Sequence, residues 1–365
     1  MFKVLGIISD THEDRAEAIP HIVQDFKKRG VELVIHCGDI EPQHLGSFGG
    51  LPVICALNKE QLDKEPFNHE PPLNWEFTKP GDRIRDYKHV RMYIGHKLSF
   101  DFLTGSEIKL MQSIEQIRNN NDGLRWVFSG HTHHQIFVQT PLVNFINPGA
   151  VENSFDGYEY AIINAENHEI VFCRIPKSQS TVKTFSIGVI SDSLDITRQD
   201  PKFWAKLVKE MQDRDVKHIV HCGNIAIEDV GMPTFADFTV HCYLRQDQVK
   251  PKVVPTNWHI VSANDPIVTI NGYKIYVQLD LGAELMDKSE YDMHKMLLQL
   301  SKKYPETTHV FCGLTRNATL EENEHHIRII NPGDIVRDGN FAVVCLPREE
   351  ITFGHVPIDP LPPLK

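Results

Sequence analysis

The stretch Val4-Leu-Gly-Ile-Ile-Ser-Asp-Thr-His12 joins an apolar run of strand length to two residues that bind metals elsewhere in proteins. A continuous apolar run followed by polar turn residues predicts a buried strand. The amphipathic helical stretch Ala16–Arg29 and a second apolar run, Val31–Cys37, come next. Strands that alternate with helices predict an α/β fold, in which polar side chains converge beyond the strand ends.

This first strand and three later motifs occur twice, in the same order and at a nearly constant separation. The paired motifs are Gly6–Asp10 with Gly188–Asp192, Ile35–Ile40 with Val220–Ile225, Val127–Gly130 with Val310–Gly313, and Ile146–Gly149 with Ile330–Gly333. A repeat of this length is a complete domain rather than a solenoid unit. We therefore expect two tandem copies of one domain, residues 1–176 and 183–365, joined by the polar stretch Pro176–Lys183.

The composition is that of a globular protein of two-domain size. The chain has 365 residues, 41% hydrophobic and 24% charged, which excludes a disordered or fibrous class. Apolar runs stay below the roughly 18–20 residues of a membrane helix, and the N-terminus lacks the pattern of a signal peptide. Seven cysteines lie singly, without a C-x-x-C pair, so we expect buried free thiols in a reducing cytoplasm. The net charge of −11 disfavours bulk binding to nucleic-acid backbone.

Five polar motifs of the first copy end or follow apolar strands and contain residue types that bind divalent metals. They are Asp10-Thr-His12, Gly38-Asp39, Leu57-Asn58, Gly95-His96 and Gly130-His-Thr-His133. Oxygen and imidazole donors in this mixture suit Mn, Fe, Ni, Zn or Co rather than a structural thiolate zinc site. A single Asp-x-His pair is more often a capping carboxylate beside a solvated histidine. Five such motifs in order, each at a strand end, favour a metal site instead.

The order of these motifs resembles the pattern D-x-H, G-D, G-N, H and G-H-x-H of the calcineurin-like metallophosphoesterase superfamily. Asn147-Pro-Gly149 also resembles the compact intracellular phosphodiesterase branch. The resemblance covers residues 1–176 and, in weaker form, 183–358. It implies a four-layer αββα sandwich in each copy and a site for two divalent transition-metal ions in the first. On the matching positions one ion is bound by Asp10, His12, Asp39 and His133, and the other by Asp39, Asn58, His96 and His131, so that Asp39 bridges them.

The resemblance further implies hydrolysis of a small phosphorylated substrate, with phosphodiesters favoured over monoesters. In such sites a hydroxide shared by two metals about 3.5–4 Å apart attacks the phosphorus, and the metals neutralise the developing charge. Asp39, Asn58 and His96 are then the residues closest to the chemistry. Lys59 follows Asn58 where many members have the histidine that protonates the leaving group. Lys59 is either a cation that binds the phosphate or a solvated loop lysine.

The second copy has lost most of the implied ligands. Asp192 matches Asp10, whereas Leu194, Asn224, Arg245, Leu279, Leu314 and Arg316 stand at the positions of His12, Asp39, Asn58, His96, His131 and His133. We expect this copy to be non-catalytic and unable to bind a transition metal. Two interpretations of Asp192, Arg245 and Arg316 stay open: a salt bridge that fills the former site, and an anion or nucleotide site.

The leading prediction is a metal-dependent phosphoesterase whose second copy supports the fold as an intramolecular pseudo-dimer. A non-catalytic scaffold is the first alternative, since the retromer subunit of the superfamily uses this fold mainly as a binding surface. A metal-dependent nuclease is the second, and the acidic charge balance disfavours it. No membrane partner is expected.

Overall fold

A computed structural model of the chain describes residues 4–12, 18–63, 65–67, 69–88, 90–98, 107–151, 157–176, 183–194, 201–245, 248, 251–280, 298–313, 317–322 and 327–358, without the side chains of 107–111. The chain divides into two compact units. Unit 1 comprises Met1–Thr181, Leu320–Glu322 and Arg348–Glu350, and unit 2 comprises Val182–Thr319, Asn323–Pro347 and Ile351–Lys365. The expected joint, 176–183, lies mostly outside the described residues.

Two sheets and three α-helices make up the described part of unit 1. Its strands are β1 (Val4–Ile8), β2 (Leu33–His36), β3 (Val53–Ala56), β4 (Trp75–Thr78), β5 (Ile84–Tyr87), β6 (Val90–Ile94), β7 (Trp126–Phe128), β8 (Gln135–Gln139), β9 (Asn144–Pro148), β10 (Gly157–Asn164) and β11 (Glu169–Pro176). Its helices are α1 (Ala18–Lys28), α2 (Lys59–Leu62) and α3 (Glu107–Asn119). Neighbouring strands follow the order β11-β10-β1-β2-β3-β4 in one sheet and β8-β9-β7-β6-β5 in the other.

The second half of the chain repeats this order of elements. Its strands are β12 (Phe185–Ile190), β13 (Val216–His221), β14 (Thr239–Leu244), β15 (Trp258–Ser262), β16 (Ile267–Ile270), β17 (Tyr273–Val277), β18 (Thr307–Phe311), β19 (Thr319–Glu322), β20 (Arg328–Asn331), β21 (Asn340–Leu346) and β22 (Glu350–His355). Its helices are α4 (Pro201–Asp213), α5 (Ile335–Asp338) and a helical segment at 298–303. Within unit 2 the strand order is β15-β14-β13-β12-β21-β22 in one sheet and β16-β17-β18-β20 in the other.

Parallel strands bring the chain segments that follow them to shared edges of the sheets. In unit 1, β1, β2, β3 and β4 are parallel neighbours, and β6 is parallel to β7. In unit 2, β12, β13, β14 and β15 are parallel neighbours as well. Loops at the carboxyl ends of parallel strands are where α/β proteins place their functional side chains.

Each unit is a four-layer sandwich. Helix α1 covers the first sheet of unit 1 by burying Ile22 and Phe26 in its core, and α3 covers the second sheet through Ile114. The two sheets face each other, since Gln135 Nε2 donates a hydrogen bond to Cys173 O at 3.0 Å. In unit 2, α4 and the segment 298–303 cover the two sheets in the same way. The predicted α/β class, with an αββα sandwich in two tandem copies, is confirmed.

The elements also agree with two smaller expectations. The helix expected over Ala16–Arg29 is observed at Ala18–Lys28. The seven cysteines are free thiols and all except Cys345 are fully buried. No helix in the described ranges has both the length and the apolar character needed to cross a membrane.

Candidate metal centre

The implied metal ligands lie just beyond the carboxyl ends of five strands of unit 1. By strand they are Asp10 and His12 after β1, Asp39 after β2, Asn58 after β3, His96 after β6, and His131 and His133 after β7. The first three strands are parallel neighbours in one sheet, and the last two are parallel neighbours in the other. The fold therefore brings both groups of residues to the corresponding edges of two facing sheets.

Four of these residues have a backbone conformation that side-chain-bearing residues rarely adopt. The φ angle is 54° at Asp10, 55° at Asp39, 74° at His131 and 61° at His133. Each such conformation costs on the order of 1–3 kcal/mol and persists only where the surroundings enforce it. The Asp10 N–H, for example, donates to Gly38 O at 3.0 Å. Strain concentrated at three neighbouring turns is typical of a functional site.

Gly130 lets the two sheets of unit 1 approach each other beside Asp10. A Cβ atom at position 130 would lie 1.8 Å from Ser9 Oγ and 2.7 Å from Asp10 Oδ2. No side chain fits there without displacing the β1 end. Glycine at this position therefore sets the separation between Asp10 and the following histidine loop.

Asn147 fixes the loop that carries His131 and His133. Its Nδ2 donates to Gly130 O at 2.9 Å and to Thr132 Oγ1 at 2.8 Å, and its Oδ1 accepts from the Gly149 N–H at 3.1 Å. Asn147 is fully buried. Its three hydrogen bonds give a positioning role to the Asn-Pro-Gly motif.

A first group of possible ligands consists of Asp10, His12 and His133, whose ligand atoms all lie within 4.8 Å of one another. His133 Nε2 lies 3.4 Å from Asp10 Oδ1 and 3.5 Å from His12 Nε2. His12 Nε2 also lies 3.6 Å from Asp39 Oδ2. One carboxylate and two imidazoles at these separations can hold a single transition-metal ion.

A second group consists of Asp10, Asp39 and His96, again within 4.8 Å. The His96 Nδ1–H donates to Cys37 O at 3.2 Å, because a carbonyl oxygen can only accept. This hydrogen bond leaves Nε2 as the ring nitrogen that faces the site, 3.8 Å from Asp10 Oδ1. Metal-binding histidines commonly donate their second nitrogen to a carbonyl in this way.

The two groups share Asp10, whereas the resemblance implies that Asp39 is the shared ligand. Asp39 nevertheless contacts both groups, because it is a member of the second and lies 3.6 Å from His12 of the first. Among the described residues, His131 belongs to neither three-residue group. It is exposed, its ring packs edge-on to His96 with centroids 5.1 Å apart, and its N–H donates to Asp10 Oδ2.

Asp10 provides the test of whether these residues fit a cation. Its side chain is fully buried, and its Oδ1 has no hydrogen-bond partner within the described residues. Oδ1 lies 3.8 Å from His96 Nε2 and 3.4 Å from His133 Nε2, so two possible metal ligands surround this oxygen. A buried carboxylate oxygen without a donor costs several kcal/mol unless a cation compensates it. The donor set and this orphaned oxygen both fit a divalent metal ion.

The electrostatics of Asp10 favour the ionised form that a metal requires. Burial acts to raise the pKa of its carboxyl, but the interactions with His133, His96 and Ser9 outweigh burial, and the pKa lies below its usual value. The ligand is therefore deprotonated without assistance from the metal.

Asn58 and Lys59 lie at the start of α2. Asn58 is the N-cap residue, and its Oδ1 accepts from the Gln61 N–H at 2.8 Å. A carbonyl oxygen has two acceptor sites, so this cap leaves one for a second partner. Lys59 is exposed at the first position of the helix. Its side chain is accessible to a ligand arriving from solvent.

His36 supports the site without belonging to it. The Gly38 N–H donates to His36 Nδ1 at 3.1 Å, so Nε2 carries the proton and donates to Thr11 Oγ1 at 3.0 Å. Complete burial lowers the pKa of His36 to about 3, so the ring is neutral at physiological pH. His36 thereby connects the turn after β2 to the turn after β1. The recurrence of His36 as His221 in the second half of the sequence favours the same structural role.

Unit 2 has the same backbone conformation at the matching turns, but its aspartate has different hydrogen-bond partners. Asp192 and Asn224 have φ angles of 58° and 57°, close to those of Asp10 and Asp39. Asp192 Oδ1 accepts from Asn224 Nδ2 at 2.7 Å, and Oδ2 accepts from Ser191 Oγ at 2.8 Å. Neutral donors thus occupy both carboxylate oxygens.

The structure describes only some of the other unit 2 residues that match the candidate ligands of unit 1. Leu279 is buried and would contact a Cβ at Gly223, whereas Leu194 and Arg245 are exposed. Leu314 and Arg316 lie outside the described residues. The expectation that Arg316 and Arg245 face Asp192 stays a prediction.

Comparison with known proteins finds similarity over the part of the chain that contains the site. Residues 4–168, which contain every candidate ligand, match the family model of the calcineurin-like phosphoesterase superfamily domain. A "Probable metallophosphoesterase" of Methanocaldococcus jannaschii is 28% identical over 149 residues, 40% of this chain and 67% of that protein. A "Probable metallophosphoesterase" of Methanothermobacter thermautotrophicus is 28% identical over 152 residues, 40% of this chain and 76% of that protein. These matches support the calcineurin-like superfamily for this part of the chain.

A solved structure of an archaeal phosphodiesterase is also similar to the chain. The similarity has a TM-score of 0.37 and 21% sequence identity, and it covers 47% of this chain and 99% of that protein.

Proposed function

We propose that unit 1 is a metal-dependent phosphoesterase that holds two divalent transition-metal ions and hydrolyses small phosphorylated substrates, with phosphodiesters favoured. The observation that carries the proposal is Asp10 Oδ1, a fully buried carboxylate oxygen that has no hydrogen-bond donor among the described residues and lies 3.8 Å from His96 Nε2. The family match over residues 4–168 supports the same class of reaction.

The proposed ligand sets follow the two observed groups. Asp10, His12 and His133 hold one ion, and Asp39 and His96 hold the other, while Asp10 and Asp39 lie within reach of both. Asn58 and His131 complete the second set, as the resemblance implies. Bound divalent ions of this kind supply a nucleophile at neutral pH and offset charge on the phosphoryl oxygens.

The protein's own part is to orient these ligands and to bind the substrate. Cys37 O fixes the His96 tautomer, and Asn147 fixes the loop that carries His131 and His133. Lys59 adds an exposed cation at the start of α2, where it attracts the charge of an approaching phosphate. Without a histidine as leaving-group acid, esters with good leaving groups should react fastest.

We assign unit 2 a non-catalytic role as a degenerate second copy. Matching strand order, and matching left-handed backbone at Asp192 and Asn224, support a common origin with unit 1. Within the described residues of unit 2, no three possible ligand atoms all lie within 4.8 Å of one another. Ser191 Oγ and Asn224 Nδ2 each donate a hydrogen bond to one carboxylate oxygen of Asp192. Unit 2 therefore has the fold of unit 1 without its candidate metal ligands.

The test is hydrolysis of a chromogenic phosphodiester by the full chain, with and without added Mn²⁺ or Ni²⁺. We expect metal-dependent turnover that chelator abolishes. Asp39→Asn should lower kcat/KM by at least about 100-fold, since the loss of residues that merely support metal ligands already costs 10–100-fold. The exposed Asp122→Asn serves as the matched control and should retain full activity.

Two results would contradict the proposal. Metal-replete protein without turnover on phosphodiesters and phosphomonoesters would favour the scaffold alternative. Full activity in a folded Asp39→Asn variant would refute the assignment of Asp39 as a ligand.

A further inference from the structure

Unit 2 contains a cluster of three histidines that the phosphoesterase site does not use. His218 lies on β13, His241 on β14 and His259 on β15, which are adjacent parallel strands. His241 and His259 are direct partners in the strand register. Their neighbours Ile219, Val240 and Trp258 belong to the core beneath α4, so the histidines project from the opposite face of the sheet. We call these three residues the histidine ladder.

The rings of the histidine ladder contact one another in sequence. The centroids of His218 and His241 are 5.7 Å apart with an angle of 22° between the planes, and those of His241 and His259 are 5.2 Å apart with 24°. His218 Nδ1 and His241 Nε2 are separated by 3.4 Å. Two imidazole nitrogens at about 2.0–2.1 Å from one tetrahedral ion lie roughly 3.3–3.4 Å apart. The first two rings of the ladder therefore stand at chelating distance.

The ladder is accessible to solvent, and burial keeps the rings of His218 and His241 neutral. His218 and His241 are half-buried, and His259 is exposed, so an ion can reach them from solvent. Burial, with the neighbouring rings His259 and His218, lowers the pKa of His241 to about 4. Burial and His259 lower the pKa of His218 as well. Neutral imidazoles are the form that binds metals, and no protons need to be displaced at neutral pH.

The matching strands of unit 1 show that the fold itself does not require histidine here. Val34 pairs with Val53 and Val53 with Trp75, as Ile219 pairs with Val240 and Val240 with Trp258. By this register Leu33, Ile54 and Glu76 stand at the positions of the ladder. Leu33 and Ile54 are buried apolar residues. Three imidazoles on one face of adjacent strands are thus a feature of unit 2 that the matching strands of unit 1 lack.

We infer that the histidine ladder is a second metal site, in which His218 and His241 chelate one Zn²⁺, Ni²⁺ or Cu²⁺ ion and His259 supplies a third imidazole. An all-imidazole set suits these ions and disfavours Mg²⁺ and Ca²⁺. The exposed His259 ring stacks on His241 and turns about its two side-chain torsions to reach the ion. The site is independent of the ligands of unit 1 and survives even if the proposed phosphoesterase activity is absent.

The test counts Zn²⁺ ions bound per full-length chain after equilibrium dialysis and measures their affinity by calorimetry. We expect the double variant His218→Gln/His241→Gln to bind one Zn²⁺ fewer than the wild type. His259→Gln should weaken binding of that ion about 10-fold or more. His21→Gln, at an exposed position on α1, is the matched control and should bind as the wild type does.

The outcomes separate the ladder from the phosphoesterase site. A wild type that binds one Zn²⁺ and a double variant that binds none would support the ladder even without any metal in unit 1. An unchanged ion count and affinity in a double variant, with an unfolding midpoint in chelator equal to that of the wild type, would overturn the inference. If the double variant does not fold, unchanged affinity in the exposed His259→Gln variant overturns it instead.

Discussion

At the scale of single residues, the site depends on backbone atoms and buried amides as much as on the ligands. The Cys37 carbonyl selects the His96 tautomer, and Asn147 holds the loop between Gly130 and Thr132 by two hydrogen bonds. Unit 2 offers an internal comparison, because Asn331 Nδ2 donates to Gly313 O in the same manner. The two asparagines make the same hydrogen bond to a glycine carbonyl, but only the loop held by Asn147 carries candidate histidine ligands.

Replacing Asn147 with alanine should therefore weaken metal binding about 10–100-fold, as expected when a residue that orients ligands is lost. Each lost hydrogen bond also lowers the free energy of unfolding by about 1 kcal/mol. Mn²⁺ affinity, measured by titration, separates the two effects. Asn331→Ala is the matched control: it should lose comparable stability and keep its Mn²⁺ affinity. Equal Mn²⁺ affinity in both variants would refute the positioning role of Asn147.

At the scale of elements, the ends of β2 and β13 are built alike. His221 repeats the contacts of His36, since its Nδ1 accepts from the Gly223 N–H at 3.1 Å and its Nε2 lies 2.7 Å from Ser193 Oγ. Complete burial lowers the pKa of His221 from 6.5 to about 4. Each buried neutral histidine thus joins the turns after two neighbouring strands.

The depressed pKa of His221 predicts acid sensitivity. Between pH 6.5 and 4 the unfolded chain binds a proton that the folded chain does not, so the free energy of unfolding falls as the pH falls through this window. Above pH 6.5 the histidine is neutral in both states and stability does not depend on its titration, whereas below pH 4 the full loss, about 3 kcal/mol, has developed. Urea unfolding at pH 7 and pH 4.5 should show a smaller loss for His221→Gln than for the wild type. An equal loss in both proteins would contradict the assignment.

Much of the element order follows from the sequence, because long apolar runs predict β1 and β2 and an amphipathic stretch predicts α1. The polar motifs that follow the strands are also visible in the sequence. Strand β4 does not follow from the sequence, because Trp75-Glu-Phe-Thr78 is a short segment directly after a proline-rich loop. Its pairing with β3 depends on contacts between distant parts of the chain. The family motifs imply that Asp39 is the shared ligand, whereas Asp10 is the residue common to both observed groups. Such sharing depends on side-chain placement between two sheets, which strand-end motifs do not encode. The proximity of the three ladder histidines likewise depends on the strand register, which the sequence motifs do not encode.

At the scale of the whole molecule, the chain combines one unit with a complete set of candidate ligands and one unit in which neutral donors satisfy the corresponding aspartate. Asp10 Oδ1 lacks a donor within the described residues, whereas both oxygens of Asp192 have one. The two aspartates share the same left-handed backbone and differ only in their partners. This contrast predicts that chemistry is confined to unit 1.

A matched pair of variants tests this division of labour. Asp10→Asn should abolish measurable hydrolysis of a chromogenic phosphodiester, because it removes a carboxylate common to both ligand groups. Asp192→Asn should leave kcat within about two-fold of the wild type and lower only the stability of unit 2, by about 1–3 kcal/mol for the disturbed buried hydrogen bonds. Loss of activity in a folded Asp192→Asn variant would show that unit 2 takes part in the reaction.

The most direct measurement is a titration of metal-free protein with Mn²⁺, followed by electron paramagnetic resonance. Two Mn²⁺ ions held by shared carboxylates should give the broad signal of a spin-coupled pair that grows to two ions per chain, and Asp39→Asn should abolish the coupling. A signal of isolated Mn²⁺ ions only would contradict a two-metal centre at the strand ends of unit 1, and a coupled signal that persists in Asp39→Asn would contradict Asp39 as a shared ligand.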